Sequence, residues 1–207
     1  MLAVGGRPLL ETLVRQLVKA GATRIFLVVR YLREQIEDHF GDGSRFGVEI
    51  HYLREPEPYG TAGGLSLIPT EMRPSEPFLV VNGDLLTPLD FKAFYVYALG
   101  YTATLVRRQI SHRLAYGYPV LGTRGRVIAF DEKPTLIYHV NSGIYGLTPA
   151  LLDGWSGPRD MPDLIRAAIG AGQVAVYTLF VPFHEIGTPE SYAAAEAFYQ
   201  EHMRSAF

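Results

Sequence analysis

Pro77-Phe78-Leu79-Val80-Val81-Asn82-Gly83-Asp84 is the stretch of this 207-residue sequence from which its fold can be read. The first five residues are mostly apolar, with β-branched and aromatic members, which predicts a strand buried on both faces inside a sheet. Asn82 and Gly83 tolerate unusual backbone angles and predict a turn. Asp84 then lies at the carboxyl end of the strand, the edge at which open α/β sheets bind ligands. It could hold a divalent cation there, and an ordinary Asn-Gly-Asp turn is the alternative.

Helical and strand patterns alternate on both sides of this stretch. Before it, the spacing of apolar residues predicts helices near 9–18 and 32–40 and strands near 25–29 and 48–52. After it, the pattern predicts a helix at 91–99, a strand at 101–107, a hairpin over 118–130 and further strands at 140–147 and 174–181. We therefore expect a layered α/β sheet that gains antiparallel strands in its later part. No linker divides the chain, so we expect a single domain over residues 1–207.

The composition excludes several classes of function. Lysine and arginine total 19 against 21 aspartates and glutamates, without a basic run, which disfavours nucleic-acid binding. The absence of cysteine excludes disulfides, thiol catalysis and thiolate metal sites. No apolar stretch approaches the roughly 20 residues of a membrane span, and no secretory leader is recognisable. We expect a soluble cytoplasmic protein without a membrane partner.

A loop rich in proline and small residues separates the strand near 48–52 from a short helix. Pro56 and Pro58 stiffen it, and Gly60-Thr61-Ala62-Gly63-Gly64 would let a flat ring lie close to the backbone. The start of the following helix would offer free N–H groups to an acceptor-rich ligand. A plain strand-to-helix connection is the alternative.

Two charged positions follow later strands. Lys133, in Phe130-Asp131-Glu132-Lys133-Pro134, is a candidate phosphate-binding residue that would act as a point charge, with a solvated turn as the alternative. Glu185, in His184-Glu185-Ile186-Gly187-Thr188-Pro189, could share a magnesium ion with Asp84 that also contacts substrate phosphates. Alternatively, Glu185 only favours the start of the next helix through the helix dipole.

Taken together and in this order, these pieces resemble the sugar-1-phosphate nucleotidyltransferases, also called nucleotide-sugar pyrophosphorylases. The resemblance covers nearly the whole chain. It is carried by Val4-Gly5-Gly6-Arg7-Pro8-Leu9-Leu10, Glu57-Pro58-Tyr59-Gly60-Thr61-Ala62-Gly63-Gly64-Leu65, Val81-Asn82-Gly83-Asp84, Tyr116-Gly117-Tyr118, Glu132-Lys133-Pro134, Val140-Asn141-Ser142-Gly143-Ile144-Tyr145 and Ile186-Gly187-Thr188-Pro189-Glu190-Ser191-Tyr192. It implies a Rossmann-like, three-layer, mostly parallel sheet of the nucleotide-diphospho-sugar transferase type, with helices on both faces and added antiparallel strands.

The resemblance also implies a role for each matching residue. A nucleoside triphosphate and a sugar-1-phosphate would react to give a nucleotide sugar and pyrophosphate, with Mg²⁺ as cofactor. Met161-Pro162-Asp163-Leu164-Ile165 is most similar to bacterial members that make guanylyl or related sugar nucleotides. The implied catalytic residues are Asp84, Lys133 and Glu185, of which Asp84 and Glu185 would bind the metal; the nucleotide would contact Glu55, Gly60, Thr61 and Ala62, and the sugar Gly117, Glu132 and Asn141.

Two departures from the family pattern stand out. The family begins with a central strand and a Gly-rich loop that cradles the triphosphate, whereas here Met1 falls just after that loop. We expect an N-terminally incomplete domain in which ladder groups are exposed or the sheet is rearranged, with little or no turnover. Glu185 also stands where the family has aspartate, and Mg²⁺ demands near-ideal geometry.

Other hypotheses stay open from the sequence alone. The chain could be a non-catalytic module that binds a sugar phosphate or a nucleotide sugar, because the sugar-facing half of the pattern is nearly intact. It could also depend on another chain that supplies a strand to an open sheet. Glycosyltransferases use metal-binding aspartates too, but they lack the Glu-Lys-Pro and Ile-Gly-Thr-Pro features. The base, the sugar and the oligomeric state, a homo-oligomer included, are not determined.

Overall fold

The computed structural model describes residues 1–204, in which helices alternate with strands. The first half contains β1 Ala3–Val4, β2 Arg7–Pro8, α1 Leu9–Lys19, β3 Arg24–Val29, α2 Arg33–Phe40, β4 Glu49–Arg54, α3 Gly60–Gly63, β5 Phe78–Val81, β6 Leu85–Leu86 and α4 Phe91–Ala98. The second half contains β7 Ala103–Arg113, β8 Tyr118–Leu121, β9 Val127–Asp131, β10 Thr135–Leu147, α5 Met161–Ala171, β11 Val174–Thr178, β12 His184–Glu185 and α6 Pro189–His202. The predicted α/β class is confirmed.

The central sheet is mixed rather than mostly parallel. Its four strands lie in the order β11-β7-β10-β5, with β11 parallel to β7 and the other two pairs antiparallel. β3 and β4 form a separate parallel pair, and β8 and β9 form the predicted hairpin. A register shift in β10 between Asn141 and Tyr145 lets this long strand bend where it passes the end of β5.

α1 connects the two strand groups. Its leucine and valine side chains contact β3 and β4 on one side and the sheet strands β5, β7 and β10 on the other. Glu11 anchors this helix in its buried surroundings by accepting hydrogen bonds from Arg15 (2.7 Å) and pairing with His39 of α2 (2.8 Å). The apolar periodicity read from the sequence therefore marks a helix that is shared by two parts of the core.

β5 differs from its prediction. The sequence predicted a strand buried on both faces, but all four residues of β5 are only half-buried. The reason is topological: β5 pairs with β10 along one edge, and its other edge borders a cavity instead of a neighbouring strand. Of the two expected arrangements, exposed ladder groups or a rearranged sheet, this is the first.

The termini of the described chain pack against each other. The β1–β2 hairpin is held by α6, because the Gly5 N–H donates to Glu196 (2.8 Å) and the Tyr192 hydroxyl donates to the Ala3 carbonyl (3.1 Å). The apolar residues beneath them include Val4, Tyr199 and residues of β6. Among the described helices, none is long and apolar enough to cross a lipid bilayer.

Candidate active site

Two short strands bring Asp84 and Glu185 together. β6, which starts just after Asp84, pairs with β12 so that Glu185 lies opposite Leu85. The Ile186 N–H also donates to the Asp84 carbonyl oxygen (2.8 Å), which fixes the two segments side by side. The residues at the ends of these strands therefore form one acidic edge, which we call the carboxylate rim (Asp84 and Glu185).

Asp84 is the least satisfied member of this rim. Its Oδ1 atom is buried and has no hydrogen-bond partner within residues 1–204. Burial raises the pKa of Asp84 above its ordinary value, and the negative charge of Glu185 raises it further, against a backbone hydrogen bond that lowers it. A buried carboxylate oxygen without a donor, next to a second carboxylate, suits a bound cation.

Arg108 is a neighbour of the rim that the sequence analysis missed. Its guanidinium lies 3.3 Å from a carboxylate oxygen of Glu185 and stacks over the Phe183 ring at 4.7 Å. Its Nε atom is buried without a hydrogen-bond partner among the described residues. Arg108 follows Arg107 in a plain strand pattern, so only the register of β7 could have revealed it. A guanidinium cation therefore lies beside the carboxylate rim.

The small-residue loop (residues 59–63) lies on the same cavity as Asp84. The cavity has a volume of about 1180 Å³, and its lining includes residues 60–62 together with residues 82–84. It therefore joins the predicted nucleotide site to the predicted metal site. Glu55 lies at the base of this loop, where its N–H donates to the Val29 carbonyl at 3.0 Å.

Two N–H groups of this loop are not free, contrary to the sequence-based expectation. The Thr61 N–H donates to Asp160 (3.0 Å), and the Ala62 N–H donates to the carbonyl of Arg159 (3.0 Å). The indole N–H of Trp155 also donates a hydrogen bond to the Ala62 carbonyl at 3.0 Å. Residues just before α5 thus provide hydrogen-bond partners for the loop backbone. Because these partners lie about 100 residues away in sequence, no local pattern predicts the contact.

The predicted sugar-binding residues are arranged in two places. Gly117 lies against the Phe130 ring, and a Cβ atom there would also approach the Glu132 carboxylate at 3.1 Å. Asn141 bonds to the Tyr145 hydroxyl and accepts from the Gly143 N–H (3.3 Å). Gly117 and Glu132 are therefore neighbours, while Asn141 lies at the bend of β10.

Asn141 is connected to the segment that carries Asp84. Gly143 has a φ of +70°, and a side chain there would collide with Asn82. The Asn82 N–H donates to the Gly143 carbonyl at 2.8 Å, so the bend of β10 is fixed against the segment before Asp84.

Among the three predicted catalytic residues, Lys133 is the one that the structure does not connect to the rim. It is exposed in the turn between β9 and β10, with a positive φ of +50°. Within residues 1–204, no hydrogen bond or ion pair joins it to Asp84 or Glu185. The structure thus brings together the two carboxylates and leaves the lysine on the hairpin side.

His184, next to Glu185, has a structural role. Its Nε2 atom bonds to the Ser191 carbonyl at 2.7 Å, and its ring stacks on Phe198 at 5.2 Å. This contact holds β12 against α6, and so helps to fix the position of Glu185.

Comparison with known proteins shows the family of this chain. The nucleotidyl transferase family matches residues 1–202. The chain is 31% identical to a mannose-1-phosphate guanyltransferase beta-A of Xenopus laevis, covering 96% of this chain and 58% of that protein. It is 33% identical to a UTP–glucose-1-phosphate uridylyltransferase of Synechocystis, covering 74% of this chain and 44% of the relative. It thus spans about half the length of these curated relatives.

A solved structure shows the same fold. The crystal structure of HddC from Yersinia pseudotuberculosis superimposes with a TM-score of 0.73 at 24% identity, covering 96% of this chain and 88% of that one. The family match over residues 1–202 establishes that the chain belongs to the nucleotidyl transferase family.

Proposed function

We propose that the chain is a sugar-1-phosphate nucleotidyltransferase, with a guanylyl or related nucleotide as the group transferred. A phosphate oxygen of the sugar-1-phosphate attacks the α-phosphorus of the nucleoside triphosphate. A new oxygen–phosphorus bond forms, the bond to the bridging oxygen breaks, and pyrophosphate leaves with the electron pair. Because both substrates are anions, the protein has mainly to position them and to neutralise charge.

The observation that carries this proposal is that Asp84 and Glu185 lie on paired strands, with Asp84 on the cavity that the small-residue loop also lines. Asp84 and Glu185 would hold Mg²⁺, which would offset charge on the phosphates. The fit rests on the unpartnered Oδ1 of Asp84 beside a second carboxylate. Within the described residues, no group of three or more acidic or histidine side chains forms a metal cage. Two protein carboxylates with waters and substrate oxygens is the arrangement Mg²⁺ prefers in phosphoryl-transfer sites.

The remaining residues would act on the two substrates. Glu55, Gly60, Thr61 and Ala62 would contact the base, which can approach the backbone because the side chains of the loop are small. Lys133 would bind the sugar phosphate as an exposed cation. Gly117, Glu132 and Asn141 would contact the sugar. We propose a cytoplasmic location. The chain has no cysteine, so its fold does not depend on disulfides that a reducing compartment would break.

A coupled pyrophosphate-release assay tests the proposal. It would pair each of GTP, UTP and dTTP with mannose-1-phosphate or glucose-1-phosphate, with Asp84→Asn as the background. We expect Mg²⁺-dependent release above that background. Calorimetric titration with GDP-mannose and UDP-glucose would run in parallel.

The outcomes separate the two candidate functions. Binding of a nucleotide sugar with no release above background would favour a non-catalytic binding module. Neither release nor binding with any pair would contradict both. Release that Asp84→Asn leaves unchanged would contradict the role given to the carboxylate rim.

A further inference from the structure

β11 is an edge strand of the four-stranded sheet. It pairs in parallel with β7 over Val174–Thr178, and within residues 1–204 no strand lies along its other edge. An edge strand presents a row of unpaired backbone N–H and C=O groups, which proteins usually protect with charged side chains, proline, a bulge or a covering segment. β11 contains no charged residue and no proline, and its pairing with β7 is continuous. It therefore lacks the first three of these protections.

Two hydrogen bonds show which groups of β11 face away from the sheet. The Leu179 N–H donates to the Arg107 carbonyl at 2.8 Å. The Gln173 carbonyl accepts from the Thr102 N–H at 2.9 Å, so the odd-numbered residues of β11 bond to β7. Because alternate residues of a paired strand bond to one neighbour, the backbone groups of residues 174, 176 and 178 point outward.

A side-chain contact supports this assignment. The Tyr97 hydroxyl of α4 donates to the Val176 carbonyl oxygen at 3.2 Å, from outside the sheet. Within residues 1–204, no backbone–backbone hydrogen bond outside the ladder with β7 involves Val174, Val176 or Thr178. A carbonyl oxygen has two lone pairs, so that of Val176 can accept a second bond. The outer edge thus offers backbone donors and acceptors to another strand.

The surface around this edge is uncharged. Residues 93–106 and 167–183 contain no Asp, Glu, Lys, Arg or His, although 19% of the whole chain is charged. These segments include most of α4, the end of α5 and all of β11, and both helices contact β11. The exposed apolar side chains here are Val96 (61%), Leu99 (49%), Ile169 (63%) and Val176 (42%). Depletion of charge is typical of the centre of a protein interface.

The pattern of β11 suits a second copy of the same strand. In an antiparallel pair about a two-fold axis at Val176, residue 174 lies opposite residue 178 and Val176 lies opposite its own equivalent. All three outward-facing residues then form hydrogen-bonded pairs. Because such a contact places like residues near like, a charge on the strand would be repelled by its own equivalent. The uncharged segment avoids this repulsion, which a partner of different sequence would not require.

The flanking helices provide area that a strand pair alone lacks. A stable interface buries about 800 Å² on each partner, more than a few paired residues supply. α4 packs on one face of the sheet and α5 on the other. A two-fold axis perpendicular to the sheet keeps each face on its own side. Each helix would therefore approach its own equivalent, with the exposed apolar side chains between them.

We propose that the chain forms a two-fold symmetric dimer through the outer edge of β11, with β11 antiparallel to its own equivalent. The two four-stranded sheets would join into one continuous sheet. Each β11 edge is used once, so the assembly closes at two copies. Neither substrate nor metal takes part in this contact, so the dimer does not depend on the proposed activity.

Sedimentation velocity over a series of protein concentrations, with Val176→Lys as the variant, tests the proposal. The parent chain should dimerise reversibly. The exposed lysine would place two like charges opposite each other, and we expect the dissociation constant of the dimer to rise at least tenfold. The matched control is Val127→Lys, because Val127 is an exposed valine in the separate β8–β9 hairpin. It should leave the dissociation constant unchanged.

Amide hydrogen exchange of the parent chain, followed by NMR, distinguishes strand pairing from any other contact and does not depend on how a variant folds. Dimer formation should slow exchange of the Val174, Val176 and Thr178 amides at least tenfold. The Ala175 and Tyr177 amides face β7 in both states and should change little.

Three results would overturn the proposal. The first is a parent chain that stays monomeric at every concentration. The second is a dimer whose dissociation constant is unchanged in Val176→Lys. The third is a dimer in which the even-numbered amides of β11 gain no protection.

Discussion

Asp84 of the carboxylate rim and the small-residue loop border the same cavity, but their polar groups are satisfied differently. Thr61 and Ala62 have partners for their N–H groups in the segment before α5, and the loop is fixed in shape. Asp84 has a buried oxygen with no partner among the described residues. Since buried polar groups are normally paired, the difference indicates that the loop provides shape and the rim provides unsatisfied charge for a ligand.

The largest effect that tests this difference is expected from Asp84→Asn. Because a metal ligand is removed, we expect the affinity for Mg²⁺ to fall by about 100-fold or more. Titration calorimetry measures this, with the exposed Asp131→Asn on β9 as the control. Equal Mg²⁺ affinities of Asp84→Asn and the parent chain would show that the carboxylate rim does not bind the metal.

The same variant should be more stable than the parent chain when metal is absent. Burial, aided by the charge of Glu185, raises the pKa of Asp84 above its unfolded value. Because its pKa is raised on folding, the protonated Asp84 contributes stability below its unfolded pKa, and this contribution is lost as the pH rises through its folded pKa. The ionised carboxylate therefore destabilises the fold at pH 7. We expect a higher Tm for Asp84→Asn at pH 7 in EDTA, and no such increase for Asp131→Asn. A lower Tm would show that Asp84 is satisfied after all.

Gly60→Ala tests whether the small-residue loop is as rigid as its hydrogen bonds indicate. Gly60 has a φ of +76°, and a Cβ atom there would lie 2.6 Å from the Arg159 carbonyl oxygen. We expect the free energy of unfolding to fall by about 1–3 kcal/mol in urea denaturation.

Gly170→Ala is the matched control, because Gly170 lies in α5 with no atom within 4 Å of an added Cβ. That change should stabilise by about 0.5–1 kcal/mol. Equal effects at the two glycines would mean that the loop can move away from Arg159.

Glu11 offers a satisfied carboxylate for comparison with Asp84. Burial raises its pKa, but the hydrogen bonds and charges of Arg15 and His39 outweigh burial and hold it below its ordinary value. Its contribution to stability is therefore present above the unfolded pKa and is lost as the pH falls through the folded one.

We expect Glu11→Gln to destabilise by about 1–2 kcal/mol at pH 6 to 7, and by progressively less toward pH 3. Urea denaturation as a function of pH measures the difference. A loss that does not depend on pH would show that the charge of Glu11 contributes nothing, and would leave only its packing.

The smallest effect is expected from Arg108→Gln. Arg108 lies 3.3 Å from Glu185 and places a positive charge where a cation would bind. At an exposed pair such a charge is worth about 1 kcal/mol, so we expect Mg²⁺ to bind about fivefold more tightly without it. The control is Arg107→Gln, whose guanidinium bonds instead to Thr178 at 3.0 Å. Weaker Mg²⁺ binding in Arg108→Gln would mean that Arg108 orients Glu185 rather than competing for it.

The elements could be predicted from the sequence, and several candidate site residues could be singled out, because both follow from local patterns. Asp84 after an apolar run, and the glycines of the small-residue loop, are each marked by neighbours in sequence. The edge position of β5 could not be read this way, because an apolar strand looks the same whether one edge or two edges are paired. The partners of the loop and of Glu185, namely Asp160 and Arg108, lie about 100 and 77 positions away. Such contacts are fixed by strand register and helix packing, which a single sequence does not display.

In the proposed mechanism, Asp84 and Glu185 form one cation site. The most direct test is a Mn²⁺ titration, followed by electron paramagnetic resonance, of the parent chain, Asp84→Asn, Glu185→Gln and the double variant. We predict one site in the parent chain, at least tenfold weaker binding in each single variant, and a loss in the double variant smaller than the product of the two single losses. Unchanged Mn²⁺ affinity in either single variant would contradict the claim.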